Sequence, residues 1–195
     1  WPTRTTSRRS SFSSVARDKR AGEYGVASAT AAPCVGAMLP YAMEGVGAVA
    51  TQAWVNVNLG YLGLGIMRTG VHAKAAIEAL LSDDEGRSRR QVIAIDRDTI
   101  FGYTGEDCTD TKGHLQGKDF AVAGNILSSM TVLEEMATAF KESSGELSGG
   151  STPSSGKRAW RSPFTPGKAS GSRRTRECSR SFSKSSATPS RCPSS

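Results

Sequence analysis

The side chains able to do chemistry collect where apolar runs give out. Thr51 and Gln52 follow the uncharged run Gly45-Val-Gly-Ala-Val-Ala50. A hydroxyl and an amide at a strand end can hydrogen-bond a ligand, so both are candidates to line a binding pocket. His114 stands in a polar, glycine-bearing stretch over 104–118. An imidazole there could act as a base or contact a substrate, although a solvated loop histidine is the commoner case. Asp107, Asp110 and His114 match no metal-ligand spacing, so neither metal nor cofactor is expected. Cys108 reads as a packed thiol, since nothing near it in sequence would lower its pKa. Cys34, Cys108, Cys178 and Cys192 show no C-x-x-C spacing, which argues against zinc and a disulfide framework.

The elements that must hold these residues follow from the apolar pattern. Residues 45–53 stay apolar on both faces until Thr51, as a central strand covered on both sides does. Phe12–Arg17 and Tyr24–Thr30 read as a hairpin around the polar turn ending in Gly22. Pro33 and Pro40 bracket a loop or short helix. Residues 59–67 form an apolar, glycine-rich helix, and 72–81 a second one with Ala73, Ala76, Ile77, Leu80 and Leu81 on one face. Gln91–Ile95 and Thr99–Tyr103 make a second hairpin, and 104–118 is loop. Phe120–Gly124 is a strand, followed by a helix from Thr131 whose Thr131-Val-Leu-Glu134 has capping-box spacing. The order ββ, β, αα, ββ, β, α predicts an α+β protein with antiparallel sheets packed against helices in layers.

The chain of 195 residues carries a net charge of +7, unevenly spread. Residues 1–10 hold three Arg and no acid, and predict a basic flexible leader. Residues 11–147 are mildly acidic and long enough to enclose a core. Residues 148–195 hold ten Lys and Arg against one Glu, rich in Ser and Pro, and predict a disordered tail. The opening on Trp1 rather than Met points to a fragment or a processed chain. No 18-residue apolar run exists, so no membrane helix is expected, and free thiols weakly favour the cytoplasm. Arg173, Arg174, Arg176, Arg180 and Lys184 could touch phosphate backbone, but the aromatics around them lack module spacing, so nucleic acid is not the expected partner. A small-molecule or peptide substrate and a homo-oligomer are compatible with the composition.

Three segments carry a family resemblance. Phe12-Ser-Ser-Val-Ala-Arg-Asp18 with Gly22-Glu-Tyr-Gly-Val-Ala-Ser28 is the first; Gly45 through Trp54, with Asn56 and Leu59-Gly60, is the second. The third is Thr104-Gly105, Cys108, Gly113-His114, Gly117 and Phe120-Ala-Val-Ala-Gly-Asn-Ile-Leu127. Together they resemble the uncharacterised family called domain of unknown function 1028, grouped with the N-terminal-nucleophile (Ntn) hydrolases, over about residues 11–147. The resemblance implies a four-layer α-β-β-α sandwich and an amide hydrolase or peptidase. It places Ser11 where the family has a Thr, and a serine can still serve as nucleophile; Asn125, after Gly124 at a strand end, could donate to an oxyanion. Ser14 replaces the family's Ile, and Ala123 replaces a Gln. Ser11 has a base only if residues 1–10 are removed, because the base would be its own α-amino group. The alternative is a non-catalytic binding domain on the same fold. After Gly145 the family's pattern stops and Ser/Arg/Pro composition takes over, as a frameshift near residues 147–150 would produce; the sandwich would then be incomplete at its C-terminal end.

Overall fold

The computed structural model describes residues 10–143 and Leu147. The expected leader before residue 10 and the expected tail after 147 lie outside the described residues, as does the predicted frameshift.

Strand β1 (Ser11–Asp18) turns into β2 (Glu23–Ala29). Asp18 holds the turn by accepting from the backbone N–H groups of Arg20 and Ala21 at 2.8 and 3.2 Å, and Gly22 supplies the left-handed φ of 70° that closes it. A second hairpin joins β3 (Pro40–Met43) to β4 (Gly47–Ala53). Helices α1 (Val57–Met67) and α2 (Ala73–Ser82) follow. Then come β5 (Arg90–Asp96), β6 (Ile100–Thr104), β7 (Gly113–Gln116), β8 (Phe120–Asn125) and α3 (Thr131–Glu142). The strands form two antiparallel sheets, ordered β2-β1-β8-β7 and β3-β4-β5-β6.

Side-chain alternation explains the layering. From β4 and β5, Val49, Val92 and Ala94 face α1 and α2, where they meet Leu59, Leu64, Ile77 and Leu81. Their neighbours Ala48, Ala50, Ile93 and Ile95 face the other sheet and meet Val15, Ala121 and Ala123. The outer face of that sheet packs Ala16, Phe120 and Val122 on Leu133 and Met136 of α3. The order is therefore helices, sheet, sheet, helix, in the α+β class. The central strand expected at 45–53 is β4, buried on both faces.

Two strands escaped the sequence. β3 begins at Pro40, where the segment read as loop or short helix ends, and β7 lies inside the segment read as loop. Both are four residues long and both are sheet edges, so pairing rather than local propensity forms them. The expected capping box is not made either. The helix starts with Met130 as its N-cap, without a side-chain cap bond, so Thr131 is already inside the helix and cannot cap it.

Asp84, just past α2, fixes the loop between β4 and α1. Arg90 grips its carboxylate in a fork, Nε to Oδ2 at 2.9 Å and Nη2 to Oδ1 at 3.0 Å, and Asn56 Nδ2 donates to Oδ2 at 2.7 Å. Arg90 also donates to the Trp54 carbonyl at 2.7 Å. The Arg90 guanidinium holds the Asp84 carboxyl at about 2, below its ordinary 3.8. A depressed carboxylate stabilises the fold above the unfolded value and loses that contribution as pH falls through the folded one. We expect Asp84→Asn to cost on the order of 1–2 kcal/mol at pH 7, allowing for solvent screening, and almost nothing near pH 2. Urea midpoints at the two pH values check this.

Candidate functional site

One end of the interior between the sheets is polar. Inward-facing positions near that end of every strand but β3 carry amides, hydroxyls or an imidazole instead of Ala, Val and Ile, and they bond into one run. Ser13 Oγ meets Ser28 Oγ at 2.8 Å across β1 and β2. It crosses the gap between the sheets to donate to Gln52 Oε1 at 2.9 Å. Gln52 Nε2 donates to Gln91 Oε1 at 2.8 Å, and the two are cross-strand partners on β4 and β5. Gln91 Oε1 also accepts from Asn125 Nδ2 at 3.0 Å. Gln91 Nε2 lies 2.9 Å from Thr104 Oγ1 and 3.0 Å from each of the carbonyls of Gly113 and Gly124. Thr104 Oγ1 ends the run at His114 Nδ1, 2.9 Å away.

The network assigns its own polarity. Gln91 Nε2 can only donate, so the Thr104 hydroxyl is free to donate to His114 Nδ1. That makes His114 a neutral imidazole with its proton on Nε2, assigned from the bonding. Burial pushes the His114 pKa below 6.5 in agreement. No carboxylate or ammonium takes part. The cluster is thus an uncharged lattice of fixed dipoles.

Ser11 opens β1 at the edge of this region. It is the direct cross-strand partner of Asn125, and its hydroxyl donates to Thr30 Oγ1 at 2.7 Å. Asn125 is 3% exposed, and its amide is held through Gln91. Of the residues singled out in the sequence, Ser11, Asn125, Gln52 and His114 therefore gather at one end of the interior. His114 reaches it from edge strand β7 rather than from a loop; its ring lies where a Cβ on Gly102 would be, at 2.5 Å. Thr51 is not among them. Adjacent strand residues point to opposite faces, so Thr51 faces the helices while Gln52 faces the sheets. The Thr51 hydroxyl is buried with no partner among the described residues. Cys108 is the packed thiol expected: buried, its Sγ 3.3 Å from the Arg90 carbonyl, and its pKa raised by burial. No three His, Cys, Asp or Glu side chains converge as a metal site among the described residues.

Gln91 is the hub that sequence reasoning missed. A signal existed: Gln52 stands late in one apolar strand and Gln91 first in another. An antiparallel pairing sets the end of one strand against the start of the other.

This arrangement defines an α+β sandwich with a neutral, hydrogen-bonded site at one end. The profile of the family of unknown function DUF1028 matches residues 11–149. A solved crystal structure of a DUF1028-family protein from Silicibacter pomeroyi is similar in sequence and fold, with 31% identity and a TM-score of 0.68. The match covers 71% of this chain and 62% of that one, so the chain spans less than two thirds of the relative's length. No curated protein matches. The chain belongs to the DUF1028 family. Among the described residues no helix is long and apolar enough to cross a membrane.

Proposed function

We infer that the polar end of the sandwich is an Ntn-type amide-hydrolase site, with Ser11 as nucleophile once residues 1–10 are removed. One observation carries the reading: Ser11 and Asn125 are cross-strand partners at the polar end of the interior, and Gln91 holds the Asn125 amide. A hydroxyl needs a base. The site's imidazole belongs to the far end of the network, bonded to Thr104, so it is not placed to deprotonate Ser11. A free α-amino group on Ser11, with a pKa of about 7.7–8.0, supplies a base on the same residue. Asn125 would then donate to the oxyanion that forms when the hydroxyl adds to an amide carbonyl. The adduct collapses by breaking its C–N bond, and the amine leaves with the proton that the α-amino group took from the hydroxyl. Water then hydrolyses the acyl-serine ester, releasing the acid and returning the serine. The substrate is a peptide or a small amide.

With Ser10 still attached, the nitrogen of Ser11 is an amide and the same groups can only bind. That state is the binding-domain alternative, and it makes the test sharp. Chain trimmed to begin at Ser11 should hydrolyse a panel of aminoacyl and acyl amides, with kcat/KM rising through pH 7–8 as the amine loses its proton. Ser11→Ala in the trimmed chain should abolish turnover, and Asn125→Ala should lower kcat by roughly 10²–10³. Equal activity of the full and trimmed chains, or none in either, removes the proposal. The change of composition where the family match stops also supports a reading-frame change near residues 147–150. Sequencing the locus decides that point: an unbroken frame through an expressed tail refutes it.

A further inference from the structure

Across the gap between the sheets, β1 runs antiparallel to β4. Arg17, late in β1, donates to the Asp96 carbonyl at 2.6 Å, and Asp96 pairs with Gly47 at the start of β4. Ser13, early in β1, donates to Gln52 near the end of β4. Two residues further out, Ser11 in one sheet stands level with Trp54 at the end of the other. Arg89 lies beside Trp54. The register of β4 on β5 sets Gln52 against Gln91 and Ala53 against Arg90, and the Trp54 N–H continues it by donating to the Arg89 carbonyl at 3.3 Å. At the level of Ser11, the rim of the facing sheet is thus a tryptophan and an arginine.

These two side chains form one unit. Arg89 Cζ lies 5.0 Å from the centroid of the Trp54 ring. Trp54 is 59% exposed, and Arg89 is exposed with it. Arg17 and Arg90 are each spent on a carboxylate and on backbone carbonyls. Arg89 is not. Among the described residues its guanidinium makes no hydrogen bond and no ion pair, not even with Glu106 or Asp107 in the loop that bonds Ser88. A guanidinium stacked on a ring keeps its edge N–H groups open, and those form the planar fork that matches a carboxylate. Backbone strain marks the same place. Ala53, between Gln52 and Trp54, has a φ of 64°, and Ile126, next to Asn125, has a φ of 54°. Residues with a Cβ seldom take that conformation, and it gathers at binding and catalytic sites.

We propose that Arg89, held on Trp54, binds the carboxylate of an amide substrate, which makes acidic amides the substrate class of this site. The assignment of a reaction rests on the hydrolase reading above, but the anion contact is measurable without it. The test uses N-phenylsuccinamic acid and its neutral twin N-phenylsuccinamide. Isothermal titration on the full chain reads binding alone, because the nitrogen of Ser11 is there an amide. At pH 7 the acid should bind about tenfold more tightly than its twin. Arg89→Gln should bring the two to one affinity, with the far-UV circular dichroism unchanged. Arg87→Gln removes an equally exposed arginine that lies over Tyr103 instead, and it should keep the preference. Equal binding of the twins by the parent chain, a preference that survives Arg89→Gln, or an equal loss in Arg87→Gln overturns the proposal. Turnover by the chain trimmed to Ser11 then separates the two readings. Hydrolysis of both twins with equal kcat/KM leaves the hydrolase standing and removes the carboxylate contact. Hydrolysis of neither, with the Arg89-dependent preference intact, removes the hydrolase and leaves the anion site.

Discussion

Gln91→Leu should cost about 3–5 kcal/mol, far more than its modest change in size suggests. The side chain is 0% exposed and bonds groups from both sheets. Leu removes the acceptor for the Gln52 and Asn125 amides and the donor to the Gly113 and Gly124 carbonyls and Thr104. Thr104 keeps its bond to His114, but the two amides and two carbonyls lose theirs, and an unsatisfied buried group costs about 1–3 kcal/mol where it cannot relax. A Leu on an exposed strand position would not act this way, so urea denaturation of the two variants separates burial from propensity.

Gln91→Glu gives a second, signed readout. The new carboxyl would face two carbonyl oxygens in a buried site, so burial and those acceptors favour its neutral form and raise its pKa. A raised acid stabilises the fold below the unfolded value and loses that contribution as pH rises. The variant should therefore be less stable at pH 7 than near pH 4. Asp84, held at about 2, pulls the parent chain the opposite way. Crossing pH profiles would identify the hub; parallel profiles would show that the amide network carries little of the stability.

These residues show what a sequence can and cannot disclose. Strand β4 was legible because its apolar run is a local property, and α2 because its stripe repeats within ten residues. Edge strands β3 and β7 were not, because four residues of Pro-Tyr-Ala-Met or Gly-His-Leu-Gln become strands only when a partner offers its backbone. The site was half legible. Ser11, Gln52, His114 and Asn125 are visible as polar residues at strand ends, but their meeting depends on the register between β1 and β8 and between β4 and β5. Thr51 shows the converse. The two-residue period of a strand already separates it from Gln52, so its inclusion in a common pocket with Gln52 conflicted with local geometry.

At the far end of β5, Asp96 should prove the second most sensitive position, with Asp96→Ala costing about 2–4 kcal/mol. Helix α2 begins without a cap of its own, since the His72 side chain makes no capping bond and the first turn has no acid. Asp96 supplies the cap from a strand 23 residues away: Oδ2 accepts from Ala73 N at 2.5 Å. The same carboxylate closes the β5–β6 turn, accepting from the N–H groups of Asp98 and Thr99 and from the Thr99 hydroxyl, each at 2.6 Å. Burial pushes its pKa up, but these donors outweigh burial and hold it below 3.8. Alanine strands three N–H groups at once, and the helix end loses the anion that its dipole favours. Asn keeps one acceptor oxygen and loses the charge, so Asp96→Asn should cost about 1–2 kcal/mol at pH 7. The sign follows from the depressed pKa: the contribution is complete above the unfolded value and vanishes as pH falls through the folded one. The Asn variant and the parent chain should therefore converge in stability in strong acid. An equal gap between them at pH 7 and at pH 2 would mean that the shape of the side chain, rather than its charge, ties α2 to the hairpin.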